Sequence, residues 1–527
     1  IAAISLALAA AQILPGLELA QHSERYEGVS IRNALFFVVF FRDLIRFLVP
    51  FIYGNPPVFW NEPIFPFQLS LYPGIVTWIL IFLGLFASRE KRLKGFLFAH
   101  FFLFFLLAFG KELPFYAFFH EWMPFWKTFR YSAKMVLPMF FHGSILAALG
   151  LDYLISDLSR HKTKLGLAAT SIVAGVMTYG IWRFSSLAPG NDFGETLLSY
   201  GSHYVGVFLA FCAFASVYFF KFRKSLIPFS FCLLLSLDLI FYHRQILPTL
   251  DRSFYTECSD LIAPFQNNPN HRIAIVEEIV RLHLRHSIPE LERMQLHKRW
   301  GAYNFGVLHN VQKDSGVIQA FLEPYSYLRY KAQERDILFK RLSASRVVYG
   351  FPKKNLDQEL LFYDFKIARP RASLVYDIVW AIDWDDAADK MAEIGLESVV
   401  LLEGEERLES LPALGKESKV VIQESLANRV TVRVSASSPC YLLLTDNFYP
   451  GWKAFVNGKE TRIHRAEMAF RLVPLPAGEH EVVFVFRPFS FFLGGVISLF
   501  TGLAMAFSLI FLRRKKNALP LLEQGEV

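Results

Sequence analysis

Arg130 and Lys134 lie four residues apart where a charged, aromatic stretch gives way to an apolar run. On a helix that spacing puts both side chains on one face. A guanidinium fork and an ammonium beside a helix N-terminus could hold a phosphate, with Tyr131 between them. The competing reading is that both snorkel to lipid headgroups, as cations near helix ends commonly do. Arg42 and Arg46 repeat the four-residue spacing in an apolar run at 31–53, where they could contact anionic headgroups or a pyrophosphate. His120 and Glu121 could act as a general base toward a hydroxyl, which requires hydrogen-bond reach. Ordinary loop polarity beside Trp122 is the plainer account of that pair. Glu112, Glu62 and Glu18 also fall outside the spans, but nothing in their context distinguishes them.

Most of these groups belong to one stretch, 110–138, reading GKELPFYAFFHEWMPFWKTFRYSAKMVLP. Aromatic rings mixed with charges between two long apolar runs describe a loop at a membrane–water boundary. The composition agrees. Of 527 residues, 53% are hydrophobic, 16% aromatic and only 19% charged, with 55 Phe. That balance predicts a multi-pass α-helical membrane protein with a water-soluble portion. The net charge of +8 would suggest nucleic acid if the cations were scattered. Instead fourteen of the 55 Lys and Arg cluster beside apolar runs, at 88–95, 160–164, 221–224 and 513–516, which favours cytoplasmic anchoring and excludes a nucleic-acid partner.

The apolar runs must position the loop. Residues 1–17 read as the end of a membrane helix stopping at Pro15-Gly16, and 31–53 reads as an interfacial amphipathic helix because Arg42, Asp43 and Arg46 are costly inside a bilayer. Spans are predicted at 70–87, 96–109, 133–151, 164–184, 200–220, 225–242 and 489–512, about eight in all with the first run. The basic clusters all fall on one side, which puts the 110–138 loop and residues 243–488 outside and the C-terminus in the cytoplasm. Asp238 reads as a structural junction paired with His243 or Arg244 one turn on. The chain starts at Ile1 inside an apolar run, without a basic leader or cleavage site, which predicts a fragment lacking its N-terminal portion.

The predicted domains are a membrane domain at 1–242, an extracytoplasmic α/β subdomain at 243–370, a β-sandwich at 371–488, a final span at 489–512 and a cytoplasmic tail at 513–527. Strands are expected at 272–276 and 345–349, with a helical stretch at 317–339 despite Pro324. Beyond 430, alternating valines, a Pro-Gly turn at 450–451 and the hairpin turn Asn457-Gly458 predict several short strands. Phe448, Tyr449 and Trp452 could form a carbohydrate-stacking platform, against the plainer reading of turn packing. Asp383, Asp385 and Asp386 resemble a calcium loop only superficially; an acidic cap on the helix that follows is the better account. Cys212 and Cys232 sit in apolar runs, and Cys258 and Cys440 are too far apart in sequence to argue a disulfide. No zinc-type spacing and no cofactor motif is present; a divalent metal stays open.

The stretch TDNFYPGWKAFVNGKETRIHRAEMAFRLVPLPAGEHEVVFVFRP, followed directly by one last apolar helix, resembles the end of bacterial YfhO-type membrane proteins. The loop with its Arg-Tyr-x-x-Lys turn, and Leu237-Asp238-Leu239 followed by Leu247-Pro248-Thr249, resemble the same family. Ser132 stands where that pattern usually has Pro. The family is similar to GT-C glycosyltransferases of the bacterial plasma membrane. The resemblance therefore implies transfer of a sugar from a polyprenyl-phosphate carrier to an envelope glycan or polymer acceptor, on the outer face. Membrane lipids, the lipid-linked sugar and that acceptor are the implied partners. It also implies a catalytic acid in a first outer loop upstream of Ile1. Two other readings stay open: a non-catalytic envelope scaffold whose sandwich binds glycan or protein, and a transporter of lipid-linked intermediates.

Overall fold

The computed structural model describes residues 2–23, 26, 28–48, 71–87, 91–156, 206–217, 223, 225–246, 251–259, 262–268, 270, 272–275, 322–350, 361–404, 407–412 and 418–523. The chain divides into two compact units, one of Gly28–Phe254 with Leu282–Met294, the other of Ile1–Glu27, Tyr255–Arg281 and Gln295–Val527. The predicted span 164–184, the basic cluster 160–164, Glu62 and the 247–249 join lie outside the described residues.

The first of these units is helical. Its backbone is Ile75–Ala87, Lys91–Ala108, Val136–Ser156, Gly206–Val217 and Leu226–Ile246. Ser132–Ser156 and Leu226–His243 are long and apolar enough to cross a membrane, while Ile75–Phe86 and Gly206–Val217 are shorter. Glycine sets the packing. A Cβ at Gly84 would fall 2.0 Å from the Leu146 carbonyl oxygen, and one at Gly150 would fall 2.0 Å from that of Leu80. Ile75–Ala87 and Val136–Ser156 therefore meet backbone to backbone, the approach that small residues permit between apolar helices. Around this crossing a core forms from Ile75, Ile79, Phe101, Met139, Leu146, Phe214 and Phe231.

Two expectations change here. The run 31–53 is not one amphipathic helix: among described residues it holds a short helix, Ile31–Ala34, and a 3₁₀ turn, Phe41–Phe47. A 3₁₀ turn repeats every three residues, so Asp43 and Arg46 share a face while Arg42 and Arg46 do not. Arg46 is buried against Asp43 at 3.0 Å, and Arg42 is exposed. The basic residues Lys91, Arg92 and Lys94 open the helix Lys91–Ala108. Asp238 is not paired with His243, and the Arg244 side chain lies outside what the structure describes. Asp238 accepts hydrogen bonds from the Tyr72 hydroxyl at 3.0 and 3.2 Å and from the Ile75 backbone N–H, so it caps the neighbouring helix. A residue five positions on along a helix points elsewhere, and His243 Nδ1 donates to the Leu239 carbonyl.

The other unit contains the strands. β1 (Arg272–Ile275), β2 (Ala344–Gly350) and β3 (Leu361–Asp364) make one sheet, β1 parallel to β2. β4 (Ala372–Val375) departs for a different sheet. β5 (Asp377–Ala381) and β6 (Ser398–Leu402) then form a parallel pair joined by the helix Trp384–Glu393. Asp383 caps that helix by accepting from the Asp386 backbone N–H at 2.8 Å, as the acidic-cap reading requires. The helix expected at 317–339 is described as Glu323–Glu334, with Pro324 in its first turn, where no donor is lost.

β7 (Lys419–Leu426), β8 (Arg429–Ala436), β9 (Cys440–Asn447), β10 (Trp452–Val456), β11 (Lys459–Thr461), β12 (His464–Ala466), β13 (Phe470–Leu475) and β14 (Gly478–Phe486) follow. They form two antiparallel sheets, ordered β11-β10-β14-β8-β7 and β12-β13-β9-β4. Val430, Val432, Val434, Val482 and Phe484 of the first pack with Leu442, Leu444, Val473 and Leu475 of the second. The alternation read from the sequence supplies this shared core. All four cysteines are free, and Cys440 is buried.

The final helix, Phe489–Glu523, contains the apolar stretch Phe489–Leu512, with the bounds expected for the last span, and continues through the basic run. Ala2–Leu8 and Ala10–Gln21 pack along it. Gly494, Ser498 and Gly502 line the contact: a Cβ at Gly494 would fall 2.3 Å from the Ala10 carbonyl oxygen, and Ser498 Oγ donates to the Ala7 carbonyl at 3.2 Å. Small residues four apart are the membrane solution to close helix approach. Pro15 lies inside its helix instead of ending it, a loss of one backbone donor that packed membrane helices tolerate. Two buried carboxylates fasten the layers. Glu467 Oε1 accepts from Arg341 and from Arg369, the latter at 2.7 Å, and Asp446 accepts from Arg272 and Arg371, each at 2.7 Å.

Removing one charge from such a cluster strands its partners. Glu467→Gln is expected to lower unfolding stability by about 3–5 kcal/mol, measured by denaturant titration in detergent. An unchanged midpoint would refute the fastening role. Gly494→Leu is expected to cost about 1–3 kcal/mol by overpacking, read as a lower melting temperature; Gly495→Leu, whose Cβ position meets nothing within 4 Å, is the control and should be near neutral.

Candidate functional site

The stretch between Lys91–Ala108 and Val136–Ser156 is a set of short turns: the 3₁₀ turn Gly110–Glu112, the helix Phe115–Trp122, and the 3₁₀ turns Pro124–Thr128 and Ser132–Met135. Prolines and glycine break it, and the segment 28–47 is laid against it by backbone bonds. Val29 N–H donates to the Lys127 carbonyl at 2.8 Å, Tyr131 N–H to Ala34 at 2.9 Å, Ala133 N–H to Phe37 at 3.1 Å and Val39 N–H to Ala108 at 3.0 Å. Ala34, Leu107 and Tyr116 form a small core beneath. Burial pushes the Tyr116 hydroxyl up to about 12, against a hydrogen bond with Trp126.

Tyr131 is the strained point. Its φ of 69° and ψ of 92° fall where side chains are rarely found, at a cost of about 1–3 kcal/mol. That backbone turns the ring edge-on against Phe37, 4.7 Å between centroids. The Arg130 guanidinium and the Lys134 ammonium each lie 5.1 Å from the Tyr131 ring centre. The two expected phosphate ligands are therefore brought together, on one ring. Phe40 repeats the arrangement: Arg42 lies 5.1 Å and Lys111 5.0 Å from its ring centre. Phe40 and Lys111 were not singled out from the sequence. They are 71 positions apart, and the bond from Val39 to Ala108 and the stacking of Phe41 on Phe109 at 4.9 Å bring them together.

The other candidates separate. Arg46 is sealed against Asp43. His120 is buried, and its Nε2 donates to the Val29 carbonyl at 2.8 Å, which fastens the 28–47 segment. Glu121 is exposed, about 100° further round the helix. They do not form a pair. Ser132 is buried, with Oγ directed at the Phe37 and Ala108 carbonyls at 3.4 Å. Among the described residues no group of three metal-ligating side chains occurs. Tyr449 packs edge-on against His22 at 5.6 Å and near Phe486 at 6.0 Å, while Trp452 lies 5.3 Å from Phe486. Burial, then the charge of Glu18, pushes the Tyr449 hydroxyl well above its ordinary range. Those aromatics pack the turn that precedes the last helix.

Chemically, the loop offers four cations over two rings beside a long apolar helix, with Glu112 and Glu121 as its carboxylates. That is a cationic surface backed by aromatic rings. Residues 402–498, from the end of β6 into the last helix, match the family described as bacterial membrane protein YfhO. Over this segment the chain is similar to that family. The match and the apolar helices together make it a membrane protein. No curated protein and no solved structure matches the chain. The YfhO segment shares no residue with the cationic loop, so the loop's role rests on its own geometry.

Gly110 has φ of +51°, and a Cβ there would fall 2.3 Å from Ser132 Oγ and 2.5 Å from Val38 Cγ1. Gly110→Ala is expected to loosen the loop by about 1–3 kcal/mol. Faster hydrogen exchange at the Tyr131 and Ala133 amides would report it; wild-type protection there would refute the packing described.

Proposed function

We propose that this YfhO-type protein is a GT-C-like glycosyltransferase that moves a sugar from a polyprenyl-phosphate carrier to an envelope acceptor on the outer face of the membrane. Supporting the reading is one observation above others: Arg130 and Lys134 share the Tyr131 ring at the start of a long apolar helix. A carrier whose tail lies in lipid presents its phosphate at that depth. Arg130 would supply a directional fork and Lys134 a point charge, with Arg42 and Lys111 extending the positive surface. Arg46, being sealed by Asp43, is left out of this role.

In the reaction the acceptor hydroxyl oxygen bonds to the anomeric carbon as the bond from that carbon to the carrier phosphate oxygen breaks. The phosphate leaves with the electron pair, and the hydroxyl proton passes to a carboxylate base. The resemblance implies such a base in a first outer loop. Cations over the departing phosphate would stabilise the charge that develops there. In the same reading about eight spans carry a bacterial plasma-membrane domain, residues 243–488 face outward with a β-sandwich near the bilayer, and the C-terminus is cytoplasmic. Membrane lipids, the lipid-linked sugar and an envelope glycan or polymer are its partners.

The test is turnover of a polyprenyl-phosphate sugar by the full-length protein in lipid. Arg130→Ala and Lys134→Ala are each expected to slow it by about tenfold or more. Unchanged turnover in Arg130→Ala would remove that residue from the site. No turnover by the wild type with any lipid-linked sugar would favour the scaffold reading.

A further inference from the structure

Three arginines converge on one carboxylate in the strand-containing unit. Asp446 Oδ1 accepts from Arg272 Nη2 at 2.7 Å and from Arg371 Nε at 2.8 Å, and Oδ2 accepts from Arg371 Nη2 at 2.7 Å. Arg471 adds a third cation whose charge acts on the same carboxylate. Among the described residues this leaves three positive charges facing one negative.

Arg471 is the anomaly. It is only 3% exposed, yet Nε, donating to the Asn447 carbonyl at 3.0 Å, makes its one hydrogen bond. Nη1 is buried with no partner. Its guanidinium stacks 3.7 Å from the centre of the Trp452 ring, which answers the charge but not the N–H groups. Burial, then repulsion from Arg371 and Arg272, brings its pKa down to about 10 against the pull of Asp446, so it stays charged at neutral pH. A buried guanidinium left so short of acceptors marks a place for an anion.

The local backbone is built around the cluster. Opposite β13, β9 pairs Leu444 with Arg471 and Asn447 with Phe470, so Thr445 and Asp446 bulge out of the register. Bulges of this kind re-aim side chains. The cluster has an approach from solvent: Arg371 Nη1 donates to Ser425 Oγ at 2.8 Å, and Ser425 is exposed. It also lies close to the last helix. Trp452 follows Gly451, whose Cβ position would be 2.8 Å from Pro488 Cα, one residue before Phe489–Glu523.

We propose that Arg471, Arg371 and Arg272, with Ser425 at the rim, form a binding site for a phosphate-type dianion. Two sources share that chemistry: a phosphate carried on a lipid headgroup, which the nearby helix start would bring into reach, and a soluble phosphate or phosphorylated glycan. The site is separate from the cationic loop and does not depend on the glycosyltransferase reading.

The test uses the full chain in phosphatidylcholine nanodiscs, titrated calorimetrically with inorganic pyrophosphate at low salt. The wild type should bind saturably. Arg471→Gln should weaken binding by about tenfold or more. Ser425→Glu, on an exposed position, should place a carboxylate beside Arg371 and abolish binding while keeping the wild-type circular dichroism. Adding phosphatidic acid to the nanodisc should suppress pyrophosphate binding if the site takes a lipid-borne phosphate, and leave it unchanged if it takes a soluble one; either result upholds the site. Absence of saturable binding by the wild type in phosphatidylcholine, or wild-type affinity in Ser425→Glu, would overturn it. If Arg471→Gln fails to fold, Ser425→Glu decides alone.

Discussion

Buried charge has to be answered locally, and in the strand-containing unit two carboxylates answer four arginines. Glu467 sits in left-handed backbone, φ 48°, between β12 and β13, and receives Arg341 and Arg369 from outside the sheets. Those arginines spend their remaining donors on carbonyls: Arg341 on Met391, Ile394, Gly395 and Ser398, Arg369 on Leu396 and Ser398. All of these lie in or just after the helix Trp384–Glu393, up to the start of β6. One carboxylate thereby fixes the connection that returns the chain from that helix to its parallel partner. Desolvating such charges is costly, and only near-complete hydrogen bonding offsets it. Arg341 and Arg369 meet that condition. Arg471 does not, and this contrast is what separates a structural cluster from a candidate site.

In the helical unit the constraint is different. Between apolar helices in lipid there is little hydrophobic gain from association, so contact depends on how closely backbones approach. Gly84 and Gly150 provide that approach for the central pair, and Gly494 and Ser498 do so for the final helix. The loop 110–135 inherits its shape from this framework. Its ends are held by helices that meet at glycine, its middle by backbone bonds to 28–47. Tyr131 can then be held in an unfavourable conformation, because its own N–H and the neighbouring Ala133 N–H are both bonded to that segment. The strain is what puts a ring under two cations.

Much of this was legible where a local pattern dominates. Alternating valines gave β8, Asn457-Gly458 gave the turn between β10 and β11, and the acidic triplet gave a capped helix. Hydropathy located the helices Val136–Ser156, Leu226–Ile246 and Phe489–Glu523. Failures came where the period was misjudged or the partner was remote. Arg42 and Arg46 share a face only if the turn is α-helical; three residues per turn pairs Asp43 with Arg46 instead. Asp238 found Tyr72, 166 positions away, and Ser498 found Ala7, 491 away. The unit β5–helix–β6 was not separated from its surroundings, because a run of four apolar residues such as 399–402 carries no direction. Arg471 reads in sequence as one cation among alternating strand residues, and only its burial makes it unusual.

The two cationic places differ in how a ligand would act on them. At the loop, Arg130 and Lys134 lie over an aromatic ring beside a long apolar helix, where their charge is already partly answered by the ring. An anion binding there gains Coulomb energy but must displace solvent, so its contribution is modest unless the reaction develops charge on the phosphate itself. At Arg471 the side chain is already almost fully buried and Nη1 has no acceptor. There an anion relieves a deficit present in the folded chain, so its binding and the stability of the two-sheet region should be linked. The first arrangement suits a group that is held weakly and released after reaction. The second suits a group that stays, and it is joined through Trp452 and Gly451 to Pro488, which leads the chain into its last helix.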